Sequence, residues 1–318
     1  MDAYQNLPSK LLDRWKELYS QKEFKQLLDI LSKGSPPSFR TNTLKISTAE
    51  LKKLLGKQNF ILEKINWYPD AFVLKNKSVR ELTETDEYKN GLLYIQNLSS
   101  MIPVLVLDPQ PQEKILDLCA APGSKTTQIG ALMKNTGELT ANDLSYKRLF
   151  KLKENLKHMG ITNAKVLNLP GESFWKNLPE YFDRTLLDVP CSMEGRVRID
   201  HPKTYQDWSP KKIKQLSKLQ KYLLRSAVAA TKVGGTIVYS TCTLAPEENE
   251  EVVEWVVNKT PDALLVEKIS LPKILMRHGV FSWEKKQFKY ASNVTRVFPS
   301  ETMEGFFVAK LHKIATTI

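Results

Sequence analysis

Two cysteine side chains, each located where a predicted strand ends, are the residues of this chain best suited to covalent chemistry. Cys191 ends the segment Asp188-Val-Pro-Cys191, and Cys242 lies in Ser240-Thr-Cys-Thr243. A thiolate is a strong nucleophile, and a proline fixes the backbone directly before Cys191. The third cysteine, Cys119, lies in a loop of small residues, where a small buried side chain is its ordinary role. The pattern predicts one thiol that attacks a carbon atom and a second group that assists.

The loop around Cys119 is the candidate cofactor site. It reads Asp117-Leu-Cys-Ala-Ala-Pro-Gly-Ser-Lys125 and follows a short apolar run that predicts a strand. Small side chains let a ligand approach the backbone, and the helix predicted to follow offers free N–H groups. Asp143 ends the next predicted strand, where a carboxylate can accept hydrogen bonds from a ribose diol. The predicted cofactor-binding residues are Cys119, Ala120, Ala121, Pro122, Gly123, Ser124, Lys125, Asp143 and Asp188.

Among common cofactors, S-adenosylmethionine fits this loop best. A phosphate-binding P-loop requires glycine at the positions that Ser124 and Cys119 occupy. A dinucleotide fingerprint requires three glycines, and only Gly123 is present. S-adenosylmethionine has a ribose diol and a carboxylate but no phosphate, so the missing glycines do not argue against it. A tight strand-to-helix turn that holds no ligand is the alternative interpretation.

A thiol beside a methyl donor predicts methylation of a carbon that is a poor nucleophile, such as carbon 5 of cytosine. A thiolate that adds to carbon 6 turns the ring into an enamine, whose carbon 5 can attack the sulfonium methyl group. A carboxyl group such as Asp188 could donate a hydrogen bond to the ring nitrogen during this step. A base must then remove the proton from carbon 5 so that the thiolate can leave. Basic neighbours such as Lys125 would favour the thiolate.

The overall charge predicts a polyanionic partner. Lys and Arg number 47 against 35 Asp and Glu, which gives a formal net charge of +12. Nucleic acid and an anionic membrane surface are the candidate partners, and general solubility is the ordinary alternative. No apolar run reaches the roughly 18 residues of a membrane span, and no signal-peptide pattern is present, so no membrane association is expected.

Cysteine usage predicts a cytoplasmic protein without a metal site. Three cysteines in a chain of 318 residues indicate reduced thiols rather than a disulfide framework. No His/Cys cluster has the spacing of a zinc site. The acidic run 247–251 predicts a stabilised helix N-terminus rather than a metal site.

Strands and helices alternate from residue 114 onwards. This alternation predicts an α/β fold with a mostly parallel, doubly wound sheet. Segments 294–298 and 305–309 predict a hairpin, hence an antiparallel edge on that sheet. The predicted strands are 114–119, 138–143, 164–168, 183–189 and 235–241, and the predicted helices are 122–133, 145–159 and 209–231.

The first part of the chain predicts a separate, small α+β domain. We place this domain at residues 1–92 and the catalytic domain at residues 93–318. A helix is predicted at 9–32, and Gly34-Ser-Pro-Pro37 ends it. An extended stretch at 38–45, a helix from Thr48 and strands at 59–65 and 71–75 follow.

These motifs resemble those of the RNA cytosine-5 methyltransferases, the Nol/Nop/Sun family. The similarity covers residues 38 to the C-terminus and is greatest to the bacterial small-subunit ribosomal RNA methyltransferases of the RsmF type, without their C-terminal extension. It implies a Rossmann-like methyltransferase domain that uses S-adenosylmethionine, preceded by an RRM-like RNA-binding domain. The resemblance also implies that Cys242 is the nucleophile and that Cys191 is needed for product release. The matching segments are Arg40-Thr-Asn-Thr-Leu-Lys45, Tyr94-Ile-Gln-Asn-Leu-Ser-Ser100, the cofactor loop, and the segments containing Cys191 and Cys242.

The chain departs from the family pattern at three positions. Met193 replaces the usual glycine after Pro-Cys-Ser and is expected to narrow the base pocket. Pro170-Gly171 replaces an Asp-Gly pair that commonly contacts the adenine, so another group must hold that ring. Asn97 replaces an acidic residue. None of these changes removes a group that the chemistry requires.

The predicted RNA contacts are Arg40, Arg196, Arg198 and Lys203. The last three belong to a basic segment that begins five residues after Cys191. Tyr205 and Trp208 can either stack on bases or pack inside the protein. The target cytosine would have to leave its stack to reach the thiols.

Ribosomal RNA is the favoured substrate because of the similarity to the RsmF type, and transfer RNA is the alternative. Two other functions stay open. An enzyme that methylates a nitrogen acceptor would need no thiol, and an RNA-binding or ribosome-assembly factor with this fold would transfer no methyl group. A monomer is the expected oligomeric state.

Overall fold

The computed structural model describes residues 4, 6–271, 274 and 276–318. These residues form a four-stranded sheet, a nine-stranded sheet and a two-stranded ribbon, Ser282–Trp283 with Lys286–Gln287. Within the described residues, no helix is long and apolar enough to cross a membrane.

The helix predicted at 9–32 is two helices, Ser9–Leu18 and Gln21–Lys33. The break occurs because Ser20 caps the second helix: its hydroxyl accepts from the backbone N–H of Glu23, whose carboxylate accepts from the N–H of Ser20. The buried faces of both helices pack on side chains from residues 197–213 and 244–245. The first 33 residues therefore pack on the catalytic part of the chain rather than on the small sheet.

The small sheet is antiparallel, and its strand order is Leu62–Lys64, Ala71–Leu74, Ser38–Thr41, Leu93–Ile95. The chain order of its strands and helices is β-α-β-β-α-β, a ferredoxin-like arrangement. The predicted domain boundary after residue 92 is wrong, because Leu93–Ile95 pairs with Ser38–Thr41. Helices Thr48–Lys57, Val79–Glu84 and Asp86–Lys89 accompany this sheet.

The large sheet confirms the predicted fold class, a Rossmann-like arrangement with antiparallel C-terminal strands. Its five parallel strands, in spatial order, are Ala164–Leu167, Glu138–Asn142, Lys114–Asp117, Phe182–Asp188 and Thr231–Thr241. The C-terminal hairpin forms as predicted, but it is not a simple edge. Phe306–Lys313 lies between Thr231–Thr241 and Thr295–Val297, and the short strands Arg277–His278 and Leu264–Glu267 extend this antiparallel part.

Helices cover both faces of the large sheet because its strands are apolar on both sides. Ile115 and Leu186 point into one core cluster, whereas their chain neighbours Leu116 and Leu187 point into the other. Leu98–Leu107, Ser124–Leu132 and Tyr146–Met159 contribute to the first cluster, and Pro210–Ala230 and Glu250–Lys259 contribute to the second.

Three neighbouring parallel strands set the position of the functional residues. The strand that ends at Asp188 lies between the strands that end at Asp117 and Thr241. The loops after these strands therefore meet at one edge of the sheet, where ligands bind in open α/β folds. Short 3-10 turns in or near these loops are Gly171–Lys176, Glu194–Arg196, Pro202–Thr204 and Pro246–Glu248.

Candidate active site

The structure brings the two predicted thiols together. The Sγ atoms of Cys191 and Cys242 are 3.1 Å apart, and both cysteines are free. Their loops follow adjacent parallel strands in which Asp188 is paired with Ser240. At this separation the two sulfur atoms can share one proton.

The two thiols differ in their surroundings. Cys191 is buried, whereas Cys242 is partly exposed. The pKa of Cys191 is raised, first by its hydrogen bond to Cys242 and then by burial and the nearby charge of Glu248. Of the two sulfur atoms, that of Cys242 is the more accessible to a substrate.

A buried carboxyl group, Glu248, holds the Cys191 loop. Its Oε2 accepts from the backbone N–H of Ser192 at 3.0 Å and from Nε2 of Gln220 at 2.8 Å. The same Gln220 amide donates to the carbonyl of Pro190 at 2.9 Å. Burial raises the pKa of Glu248 to about 7. Residues on both sides of Cys191 are thus fixed by one Glu–Gln pair.

Asn249, the next residue, holds the Cys242 loop. Its Oδ1 accepts from the hydroxyl of Thr241 at 2.6 Å, and its Nδ2 donates to the carbonyl of Thr243 at 3.0 Å. The hydroxyls of Ser192 and Thr243 are hydrogen-bonded at 2.7 Å, which joins the loops directly. We call Glu248, Asn249 and Gln220 the loop clamp.

The sequence predicted that the acidic run 247–251 stabilises the start of a helix. In the structure its side chains also pair with distant parts of the chain. Besides Glu248, each of its glutamates pairs with a different part of the chain. The pairs are Glu247 with Arg14 at 2.7 Å, Glu250 with Arg296 at 2.6 Å, and Glu251 with Lys221 at 2.8 Å. Sequence reasoning missed the loop clamp, although its position directly after the Cys242 motif was a usable signal. Within the described residues, no three His, Cys, Asp or Glu side chains form a possible metal site.

Asp188 lies between the thiols and the cofactor loop. Its Oδ2 accepts from Nζ of Lys125 at 2.6 Å, and its Oδ1 accepts from the hydroxyl of Ser240 at 2.8 Å. Lys125 also donates to the hydroxyl of Ser100 at 2.8 Å and is buried. Because both oxygens of Asp188 already accept hydrogen bonds, Asp188 is better placed to accept from a substrate than to donate to it.

The cofactor loop is folded closely around Asp143. One oxygen of this carboxylate accepts from the N–H of Ala121 at 3.1 Å, and the other accepts from the N–H of Ser145 at 2.9 Å. Gly123 has φ +108°, and a Cβ there would lie 2.9 Å from Leu152. Both observations require glycine at this turn. Asp117, beneath the loop, is buried, which raises its pKa to about 7.

A cavity of about 410 Å³ adjoins this loop and is the candidate adenosine pocket. Cys119 and Asp143, two of the predicted cofactor-binding residues, contribute to its wall. Gly171 is needed there, because a Cβ at this residue would lie 2.6 Å from Leu223. Apolar side chains in the wall of this cavity are the candidates to contact the adenine in place of the Asp-Gly pair of the family. Lining residues that sequence reasoning did not find are Leu144, Arg148, Glu172, Pro190, Leu219 and Leu223.

The predicted RNA contact by Arg40 is wrong. Its side chain is 0% exposed. It donates to Oε1 of Gln96 at 2.8 Å, to the carbonyl of Ser124 at 3.1 Å and to the hydroxyl of Thr127 at 2.7 Å. Arg40 therefore fastens the small sheet to the helix that follows the cofactor loop.

Arg196 and Arg198 line a cavity of about 320 Å³ between the small sheet and the catalytic part. Arg196 pairs with Glu304 at 3.1 Å, and Arg198 pairs with Asp200 at 2.8 Å. The pKa of Arg196 is raised, first by Glu304 and more weakly by the two thiols and Asp188. The guanidinium of Arg196 is thus within electrostatic reach of the thiol pair, and Lys203 is exposed nearby in sequence.

Tyr205 and Trp208 do not stack on a ligand, because both are buried. Nε1 of Trp208 donates to Oε1 of Glu194 at 2.9 Å. The alternative considered for these aromatics, packing inside the protein, is correct.

The family follows from two matches that together extend over most of the chain. Residues 104–312 match the family described as 16S rRNA methyltransferase RsmB/F. Residues 7–98 match the N-terminal domain of 16S rRNA methyltransferase RsmF. The chain belongs to the RsmB/F methyltransferase family.

Named relatives of this RsmB/F member include rRNA and tRNA enzymes. It is 38% identical over 317 residues to ribosomal RNA small subunit methyltransferase F of Pectobacterium carotovorum, covering 98% of this chain but only 63% of that protein. It is 40% identical over 315 residues to tRNA (cytosine(49)-C(5))-methyltransferase of Pyrococcus abyssi, covering 98% of both. A solved methyltransferase homologue from Pyrococcus horikoshii is 32% identical, with a TM-score of 0.82, covering 95% of this chain and 93% of that one.

Two departures from the RsmB/F pattern have local structural consequences. Met193 adopts φ +59°, a left-handed conformation that glycine adopts without strain. Asn97 caps the helix Leu98–Leu107, accepting from the N–H of Ser99 at 2.9 Å. The first departure strains the Cys191 loop, and the second stabilises a helix that packs on the large sheet.

Proposed function

We propose that this RsmB/F member transfers a methyl group from S-adenosylmethionine to carbon 5 of a cytosine in RNA, through a covalent bond between Cys242 and the base. The observation that carries this proposal is the 3.1 Å contact between the two thiols at the ends of adjacent strands. A methyltransferase acting on a nitrogen needs no such pair. The named relatives, an rRNA and a tRNA cytosine enzyme, support RNA as the substrate class.

Cys242 is the nucleophile in this proposal. Cys191 keeps its proton and donates it toward the Cys242 sulfur, which stabilises negative charge on Cys242. The Cys242 thiolate forms a bond with carbon 6, and the electron pair of the 5,6 double bond becomes available at carbon 5. Carbon 5 then forms a bond with the methyl group as the methyl–sulfur bond of the sulfonium breaks, and the electron pair of that bond stays on the departing neutral thioether.

Asp188 and Lys125 orient the base and balance its charge. Asp188 accepts a hydrogen bond from the exocyclic amino group of cytosine, since its two oxygens are held as acceptors by Lys125 and Ser240. The Lys125 ammonium has three N–H groups, of which two donate to Asp188 and Ser100. Its positive charge offsets the charge that develops on the ring.

Product release requires a proton transfer and a bond cleavage. A base removes the proton from the methylated carbon 5, the 5,6 double bond re-forms, and the bond between carbon 6 and sulfur breaks. Cys242 leaves as a thiolate, which the Cys191 S–H again stabilises. Because this hydrogen bond makes Cys242 a better leaving group and a weaker nucleophile, loss of Cys191 should slow release more than attack.

The residues around the cofactor loop fit S-adenosylmethionine. Asp143 is placed to accept from a ribose diol, and Leu144, Leu219 and Pro190 provide apolar walls for the adenine. When bound, this cofactor supplies an electrophilic methyl group. Ser124–Leu132 begins at the cofactor loop and presents its N-terminus to a carboxylate.

Ribosomal RNA is the first candidate substrate because both parts of the chain match rRNA methyltransferase families. Transfer RNA is the second candidate, because the chain matches 98% of the length of the Pyrococcus abyssi tRNA enzyme. We also propose that the protein acts in the cytoplasm as a monomer.

The test is methyl transfer to defined RNA pools. Purified protein is incubated with S-adenosylmethionine carrying a deuterated methyl group and with 16S rRNA, small ribosomal subunits or unmodified tRNA. Mass spectrometry of the nucleosides is expected to show labelled 5-methylcytidine, which Cys242→Ala abolishes. Label on a nitrogen or on protein, label retained in Cys242→Ala, or RNA binding without methyl transfer would each contradict the proposal.

A further inference from the structure

One outward helix face carries large apolar side chains that the site does not use. Tyr146 is 80% exposed and Phe150 is 69% exposed, although both are aromatic. They lie four residues apart on the helix Tyr146–Met159 and thus on one side of it. Exposed apolar side chains that lie next to one another, unlike scattered single ones, are a feature of interaction sites.

Two lysines without an ion pair lie further along the same side of this helix, within the described part of the chain. Lys153 and Lys157 follow Phe150 at spacings of three and seven residues, so the four residues form one line along the helix. Within the described part of the chain, neither lysine has an ion pair, whereas Lys151 pairs with Glu154 at 3.5 Å. We call Tyr146, Phe150, Lys153 and Lys157 the aromatic–lysine stripe, which spans roughly 16 Å at 1.5 Å per residue.

The opposite side of the helix is fixed to the fold, so the stripe faces outward. Leu149, Leu152 and Leu156 belong to the core under the large sheet. At the far end of the helix, Nδ2 of Asn42 donates to the carbonyl of Met159 at 2.8 Å. The residues that precede the stripe, Leu144 and Ser145, line the adenosine pocket. The stripe thus runs from the cofactor site to the small N-terminal sheet.

We propose that the aromatic–lysine stripe is a docking surface for a single-stranded segment of the substrate RNA. Tyr146 and Phe150 stack on bases, and Lys153 and Lys157 contact phosphates. Aromatic rings next to unpaired cations fit this partner, because every base has a stacking face and every nucleotide carries a negative charge. The proposal rests on the proposed function, which supplies RNA as the substrate.

The main test is a double variant, Tyr146→Ala with Phe150→Ala, against Phe281→Ala as a matched control. Phe281 is 60% exposed and lies outside the stripe. Binding of fluorescent substrate RNA is measured by anisotropy, together with S-adenosylmethionine affinity and turnover at saturating RNA. The stripe variant is expected to bind RNA at least about tenfold more weakly. Its cofactor affinity and saturated turnover should stay within about twofold of the parent, and Phe281→Ala should resemble the parent throughout.

The charged half of the stripe is tested by salt dependence. Lys153→Gln with Lys157→Gln is expected to reduce the slope of log affinity against log salt by about 1.4, since each lost phosphate contact contributes about 0.7 for single strands. The control is Lys259→Gln with Lys285→Gln, two exposed lysines outside the stripe. Their removal should change the slope by less than half as much.

Several outcomes would overturn this proposal. Unchanged RNA affinity in the aromatic variant would do so, as would a loss of cofactor affinity, which would assign Tyr146 to the adenosine pocket. A parent dimer that dissociates in the variant would assign the stripe to contacts between copies of the chain. Failure of the proposed function is distinguishable, because the parent protein itself would then transfer no methyl group to carbon 5 of cytosine in any RNA.

Discussion

The loops of Cys191 and Cys242 follow adjacent strands, carry the same reactive atom and differ in almost everything else. The Cys191 loop is buried and held from beneath by Glu248 and Gln220. The Cys242 sulfur is partly exposed, although Asn249 holds the residues on both sides of it, Thr241 by its hydroxyl and Thr243 by its backbone carbonyl. Residue type alone would make the two thiols equivalent.

This difference shows how one pair of thiols can divide the work of attack and release. The pKa of the buried thiol is raised by the neighbouring sulfur, by burial and by Glu248, and in the proposed mechanism this thiol keeps its proton. In the same mechanism the exposed thiol accepts the hydrogen bond and can contact a nucleobase that enters the site. The proposed mechanism assigns attack to the exposed thiol and release to the buried one.

The largest expected effect on activity comes from removing the exposed thiol, that of Cys242. Cys242→Ala should lower formation of 5-methylcytidine by at least about 10⁴-fold, because no other residue supplies the bond to carbon 6. The measurement is single-turnover methyl transfer with a thermal melt as a folding control. Residual activity within a hundredfold of the parent would show that Cys242 is not the nucleophile.

A smaller loss of turnover is expected when the carboxylate of Asp188, which lies between the thiols and the cofactor loop, is replaced by an amide. Asp188→Asn breaks the 2.6 Å pair with Lys125 and should lower turnover by about 10²–10³-fold. Asp183→Asn is a matched control, since Asp183 pairs with Lys232 at 2.6 Å near the other end of the same strand. Equal losses in the two variants would indicate damage to the strand rather than to the site.

The loop clamp should affect turnover because it holds the Cys191 loop in position. It should also affect stability, because Glu248 binds a proton in the folded state. Glu248→Ala frees the Cys191 loop and should lower turnover about 10²-fold, whereas Glu248→Gln keeps an acceptor oxygen for Ser192 and Gln220 and should lose less than tenfold. Rescue by glutamine separates a positioning role from a need for the carboxylate. Equal loss in both variants would contradict that assignment.

Glu248 also gives the clamp a defined pH dependence. Burial raises its pKa from 4.5 to about 7, so the folded state holds a proton that the unfolded state releases. Stability from this group is complete below about pH 4.5 and falls by at most about 3 kcal/mol as the pH rises to 7. Denaturant unfolding at pH 5 and pH 8 should show a smaller decrease for Glu248→Gln than for the parent. An identical decrease would place the titration elsewhere, with Asp117 as the next candidate.

Local sequence pattern predicted the parts of the structure that local rules control. Strand and helix alternation gave the parallel sheet, and the strand ends at Asp143, Asp188 and Thr241 brought the cofactor loop and both thiols to one edge. The left-handed turn at Gly123 is equally local.

The failures at the functional site involve contacts between distant segments. Arg40 looked like a surface cation, but the cofactor helix buries it. The sequence left open whether Trp208 stacks on bases or packs inside, and Glu194 and the N-terminal helices enclose it. Glu248 looked like part of a helix start, and its partners lie 28 and 56 residues away. Periodicity and spacing carry no information about such long-range packing.

The central claim, that Cys242 attacks and Cys191 permits release, is tested most directly by trapping the covalent complex. Labelled substrate RNA and S-adenosylmethionine are mixed with Cys191→Ala and with Cys191→Ala/Cys242→Ala, and each reaction is run on a denaturing gel. Cys191→Ala should accumulate a stable RNA–protein adduct, and the double variant should form none. An adduct that persists in the double variant, or an inactive Cys191→Ala protein without any adduct, would contradict this assignment.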